Sequence, residues 1–181
     1  CTERAARNFA YQGIVAERGR VECLARIPGA ALVGTQIRAP YAVHEQVYVL
    51  PMDSVLPTKG TGVVTSVPSD SPDDWANLME LRKKAEFYKI DPQWAALEPV
   101  PVIQAPGYSD MIAADLCAKF KVQSPKDRNA LAEAKDVAYK QGFYHGTMII
   151  GAYKGEPVAE AKAKVQRDMI QEGLAFAYAE P

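Results

Sequence analysis

Three segments of the chain open on a proline with an apolar stripe behind it, and that punctuation limits the fold more than any other feature. Ser71-Pro72-Asp73-Asp74 opens "SPDDWANLMELRKKAEFYKI", Ser124-Pro125-Lys126-Asp127 opens "SPKDRNALAEAKDVAYKQG", and Glu156-Pro157 opens "EPVAEAKAKVQRDMIQEG". Proline is tolerated in the first helical turn, where its missing N–H would have no partner anyway, and a serine before it supplies an N-cap acceptor. Gly142 and Gly173 stand where helix C-caps stand. Leu78, Leu81 and Ala85 give the first segment an apolar face. The pattern predicts helices starting near Pro72, Pro125 and Pro157, and "SDMIAADLCAKF" (Ser109–Phe120) reads as another.

The first third of the chain reads differently. "VECLARI" (Val21–Ile27), "ALVGTQI" (Ala31–Ile37), "AVHEQVYVLPM" (Ala42–Met52) and "TGVVTSV" (Thr61–Val67) carry β-branched and aromatic residues between Gly and Pro breaks, the signature of strands. "PVPVIQ" (Pro99–Gln104), "GTMIIGAY" (Gly146–Tyr153) and "LAFAYA" (Leu174–Ala179) add further strand candidates. Strands outnumber helices without alternating regularly with them, which argues against a doubly wound sheet. The expected fold is mixed α/β, a β-barrel-like mixed sheet core with peripheral helices.

Charge and cysteine usage narrow the function classes. Twenty-one basic and 22 acidic residues leave a net charge of −1, and no Lys/Arg block stands out, so the footprint of autonomous nucleic-acid binding is missing. No apolar run approaches the ~20 residues of a membrane helix, and no signal-peptide pattern opens the chain. Cys1, Cys23 and Cys117 read as reduced thiols, and with no CxxC pair and with His44 and His145 standing alone no metal site is expected. The start "CTERAARNF" has no initiator methionine, so the chain is expected to be a piece of something larger.

The stretch "GTGVVTSVPSDSPDD" (Gly60–Asp74) is the most pointed motif. It is neither the GxxxxGK[ST] of a P-loop nor a GxGxxG running from strand to helix, because its glycines precede a strand candidate. Asp70, Asp73 and Asp74 could hold a cation or act as a base. Equally, Asp74 falls at N3 of the helix opened by Ser71, where a capping box and the helix dipole both favour a carboxylate. The Ser124–Asp127 turn repeats that layout, so capping alone could account for it. Cys117 lies on an apolar helical stripe and reads as core; there is no GxSxG elbow, His145 reads as a turn residue, and Lys135 as a solvated helix lysine beside Glu133.

Several stretches together resemble the editing insertion (connective polypeptide 1) of the leucyl-tRNA synthetases, in its eukaryotic cytosolic and archaeal form. They are "ARNFAYQG", "VYVLPM", "KGTGVVTSVPSDSPDDW", "EPVPVI", "DRNALAEAK" and "KQGFYHGTMIIGAYKG", in order along nearly the whole chain. The resemblance implies one domain over residues 1–181, with the family's threonine-rich segment lying upstream of Cys1. It implies a cytoplasmic enzyme whose editing site hydrolyses the aminoacyl ester of mischarged tRNA-Leu carrying norvaline, isoleucine or a similar amino acid. Partners would be the tRNA-Leu 3′ end and the rest of the synthetase in cis. Asp74 matches the family's editing aspartate, which holds the α-ammonium of the misattached amino acid. Gly60, Thr61, Gly62, Val63, Thr65, Ser69, Asp70 and Ser71 fall in the segment bordering substrate, and Lys135 matches a lysine associated with the terminal adenosine phosphate. No cofactor is implied for editing; ATP and Mg belong only to the synthetic core. The competing reading is a non-catalytic tRNA-end or protein-interaction module of the same fold.

Overall fold

The computed structural model describes residues 1–180. The chain opens on a helix that the sequence pattern did not announce. In α1 (Glu3–Tyr11) Thr2 is the N-cap, its hydroxyl accepting from the Ala5 N–H at 3.3 Å. Residues near the chain's end lie along this helix. Asn8 Nδ2 donates to the Ala179 carbonyl at 3.0 Å, Gln12 donates to the same carbonyl, and the Ala179 N–H donates to Gln12 Oε1. Phe9 meets the edges of Phe176 and Tyr178. Leu174–Ala179 is therefore not the expected strand: Leu174 and Ala175 donate back to the Met169 carbonyl, and the Ala179 backbone is bonded by α1 side chains.

Among the described residues the expected barrel is absent. Strand β1 (Gln36–Ile37) pairs antiparallel with β2 (Val47–Tyr48), and β3 (Ile103–Gln104) pairs antiparallel with β4 (Thr147–Met148), as two separate two-stranded sheets. Val21–Ile27 and Thr61–Val67 form no strand. The physical reason is burial: between Ala10 and Ser69 no residue is buried, so the β-branched runs of the first third have no apolar face to pair over. Local strand propensity has little effect without a partner strand. One close approach does organise this region. Gly34, at φ +86°, lies where a Cβ would sit 2.3 Å from the Trp94 ring, and Trp94 stacks on Tyr48 of β2.

The packed body is helical. It comprises α2 (Pro72–Lys83), the short α3 (Ala85–Tyr88), α4 (Ile112–Lys119), α5 (Arg128–Tyr139) and α6 (Val158–Gln171). A π-helical turn, Lys140–Tyr144, extends α5 past the glycine expected to end it. Ser71 and Pro72 start α2 as the sequence predicts. The Ser124–Asp127 segment instead forms a turn and α5 begins at Arg128, while α4 begins at Ile112 because Ser109 and Asp115 close a turn ahead of it. Leu116 and Ile112 of α4 are fully buried against Ala134 and Ala138 of α5 and Ala105. Each such large side chain contributes about 1.5–3 kcal/mol, and the alanines opposite let the helix axes approach. Ala76, Cys117 and Leu131 join α2 to both neighbours, while Leu78 and Leu81 pack on Ile90 and Ala95. No helix among the described residues is long and apolar enough to cross a membrane.

Candidate functional site

The loop Val67–Ser71 and the first turn of α2 make one hydrogen-bonded unit. The N–H groups of Asp70 and Ser71 both donate to the Val67 carbonyl, at 3.1 and 2.9 Å. Ser71 Oγ accepts from the Asp74 N–H at 3.4 Å, the first half of a capping box. The second half is different from expectation. Asp74 Oδ2 accepts from the N–H of Val67, at 2.8 Å, rather than from that of Ser71. The aspartate thus straps the end of the apolar run to the helix start, and the strap engages only one of its two oxygens. Burial raises the Asp74 carboxyl above its ordinary range, outweighing the Val67 and Ser71 hydrogen bonds that favour its charged form.

Ser69 and Asp70 form a second buried pair. Ser69 is fully buried, its hydroxyl donates to Asp70 Oδ2 at 2.6 Å, and its carbonyl accepts from the Ala113 N–H at the start of α4. Asp70 Oδ1 is shut off from solvent with no hydrogen-bond partner among the described residues. Burial pushes this carboxyl up to about 6, against the smaller opposing effect of the Ser69 hydroxyl.

Asp73 turns to another wall. Its carboxylate pairs with Lys135 of α5 at 2.6 Å, and its carbonyl accepts from Asn77 Nδ2. The pair sits in a cleft of about 420 Å³ between α2, the Pro51–Ser54 loop and α5, where Asp53, Asp73 and Glu80 face Lys126, Arg128 and Lys135. Asp74 is not among the residues lining it. Cys117 is core, as its stripe suggests: its thiol donates to the Pro72 carbonyl at 3.7 Å, and burial pushes it up to about 11.

The expected site residues are therefore gathered only in part. Ser69, Asp70, Ser71 and Asp74 form one loop, and Lys135 reaches that helix start through Asp73. Gly60, Thr61 and Gly62 make turns whose contacts run to the chain's beginning, with the Thr2 N–H donating to the Thr61 carbonyl at 2.8 Å and Thr2 Cγ2 where a Cβ on Gly62 would lie. Val63 and Val64 are each 60% exposed, and Thr65 is exposed too, so this run lines no wall as a strand. Asp73 as the partner of Lys135 was missed, and so were Asp53, Glu80, Lys126 and Arg128. The spacing of Arg128 and Lys135, two helical turns apart on one face, is the one sequence signal that could have grouped any of them.

Comparison with known proteins bears on the chain as a whole. No family model matches the chain. It is 58% identical to the cytoplasmic leucine–tRNA ligase of Neurospora crassa and 49% identical to that of Saccharomyces cerevisiae, in each case over 99% of this chain and 16% of the relative. The chain thus spans about a sixth of the length of these relatives. Among solved structures, the editing domain of the P. falciparum cytosolic leucyl-tRNA synthetase superposes with a TM-score of 0.92 at 30% identity, covering 99% of this chain and 60% of that one. GlLeuRS-CP1 superposes with a TM-score of 0.91 at 33% identity, covering 98% of this chain and 66% of that one. Fold and sequence agree along the full length, and the chain belongs to the editing-domain family of the leucyl-tRNA synthetases.

Proposed function

We propose that residues 1–181 act as the post-transfer editing domain of a leucyl-tRNA synthetase, hydrolysing the aminoacyl ester of mischarged tRNA-Leu. The observation that carries this reading is the setting of Asp74. Its carboxylate is largely withdrawn from solvent and fixed by the Val67 N–H through one oxygen. An α-ammonium offers N–H donors and a positive charge, and would both satisfy and ionise such a group through a charge-assisted hydrogen bond. The ester carbonyl would then be held for attack by water: the new C–O bond forms, the ester C–O bond breaks, and the ribose hydroxyl leaves with a proton. The work of the site is positioning, which can supply a large share of a rate enhancement. Ser71 and the Val67 carbonyl keep the loop rigid, and the buried Ser69–Asp70 pair supports it from within, leaving Thr65 and Gly60–Val63 to border the substrate. Leucine is refused at this second sieve by shape.

Asp74→Ala in the full-length synthetase tests the reading. Deacylation of norvalyl-tRNA-Leu is expected to fall by roughly one to two decades, the equivalent of the ~1.5–3 kcal/mol of a lost charged hydrogen bond, with leucine charging near normal. Unchanged deacylation would sink it.

A further inference from the structure

A near-neutral chain can still carry a localised field, and the turn joining α4 to α5 does. Residues 119–128 hold Lys119, Lys121, Lys126 and Arg128 against the single carboxylate of Asp127, a local charge of +3 that leaves −4 for the rest of the chain. The sequence hides the cluster because the cations alternate with apolar and polar residues. All four are exposed, and among the described residues none has a carboxylate within 4.0 Å. Asp127 does not reach them: its Oδ2 accepts from the N–H groups of Gln123 and Ser124, at 2.7 and 2.9 Å.

These cations also line usable space. Lys121, Lys126 and Arg128, with Gln123, Asn129 and the one carboxylate of Asp127, border an open groove of about 510 Å³. Lys126 and Arg128 also line the 420 Å³ cleft that holds the Lys135–Asp73 pair, so groove and cleft share a wall. Arg128 and Lys135 lie seven residues apart, two turns of α5 and about 10 Å along its axis. Exposed point charges and side-chain amides, with no apolar anchor among the groove's cations, suit a chain of phosphates, contacts that position a nucleic acid without reading its sequence.

We propose that the α4–α5 turn is a phosphodiester track. It leads the single-stranded 3′ end of tRNA along Lys121, Lys126 and Arg128 to the Lys135–Asp73 pair at the first turn of α2. The inference rests on the editing reading above, and names where that RNA lies on this domain.

The test is fluorescence anisotropy of labelled, uncharged tRNA-Leu with the full-length synthetase from 50 to 200 mM KCl. K126A/R128A is expected to weaken binding several-fold at low salt. It should reduce the slope of log K against log[salt] by about 1.4, two contacts at roughly 0.7 each for a single strand. K126R/R128K, which keeps the charges, should retain the wild-type slope, and polyglutamate of matched length should not displace the RNA. An unchanged slope in K126A/R128A overturns the track, as does a slope that K126R/R128K also loses. Competition by polyglutamate at matched charge overturns the commitment to RNA. K126Q/R128Q replaces K126A/R128A if the latter loses its thermal midpoint. Because the probe is uncharged, the measurement stands whether or not Asp74→Ala abolishes deacylation; failure of one leaves the other intact.

Discussion

Ser71-Pro72-Asp73-Asp74 and Ser124-Pro125-Lys126-Asp127 share one four-residue layout and end in aspartates that do different things. At the first, the serine caps a helix that starts at once, and the aspartate reaches back past the proline loop to Val67. At the second, the serine hydroxyl accepts from the Lys126 N–H, the helix waits until Arg128, and the aspartate accepts two N–H groups from the residues before it. Asp127 thus finishes its hydrogen bonding locally. Asp74 makes one backbone bond and is withdrawn from water at a cost that lifts its proton affinity. The same local grammar produces a closed turn in one place and a desolvated carboxylate with one oxygen engaged in the other, and surroundings decide which.

The largest effect that could break this contrast is on editing. Asp74→Ala should lower deacylation by about one to two decades, while Asp127→Ala should leave kcat within about twofold, since it touches no part of the Asp74 loop, any change it makes falling on KM through the α4–α5 turn. Parallel measurements on norvalyl-tRNA-Leu decide it; equal losses would show that both aspartates act only by holding loops.

On stability the order should reverse. Asp127→Ala removes the acceptor of two backbone N–H groups and should cost about 1–3 kcal/mol. Asp74→Ala removes one such bond but also relieves a desolvated charge, and should cost less than ~1 kcal/mol at neutral pH. Denaturant midpoints at constant m-value read the difference, and a larger loss at Asp74 would contradict the account of its desolvation.

How much of this was legible depended on how local the cause is. Helix starts at Pro72 and Pro157 could be read because a cap and an imino ring act within one turn. Strands could not: Val21–Ile27 and Thr61–Val67 have strand-forming residues but no partner, and partners are a long-range property. The α1 helix was missed because its stabilising contacts, Phe9 on Phe176 and Asn8 on Ala179, lie some 170 residues away in the chain. The Ser69–Asp74 loop was legible from its motif. The Asp73–Lys135 pair was not, because it joins two helices across the core and nothing in either segment points to the other.

A smaller effect sharpens the electrostatic side. Asp70 titrates near 6 in the fold against about 4 in the unfolded chain, so the native state holds the extra proton between those values. Stability must therefore fall as pH rises from about 4 to about 6 and stay flat above. Asp70→Asn removes the charge and keeps an oxygen for the Ser69 hydroxyl. It should stabilise the protein by about 1–2 kcal/mol at pH 7, a gain that vanishes below pH 4. Thermal melts of both proteins across pH 3.5–8 read it, and a gain independent of pH would contradict the assignment.

The smallest effect compares the two serines. Ser71 Oγ meets the Asp74 N–H at 3.4 Å, a long and weak cap, and the Val67 carbonyl already binds the Ser71 N–H. Ser124 Oγ meets the Lys126 N–H at 3.2 Å inside a turn whose closure Asp127 secures independently. Neither alanine substitution should cost more than about 1 kcal/mol, and the two costs should agree within a few tenths. Function should separate them all the same. Ser71→Ala loosens the loop that aims Asp74 and should slow deacylation about two- to fivefold, whereas Ser124→Ala should leave it unchanged. Matched stabilities with matched editing rates would mean that the first turn is as self-contained as the second, and that the Val67 strap alone positions the aspartate.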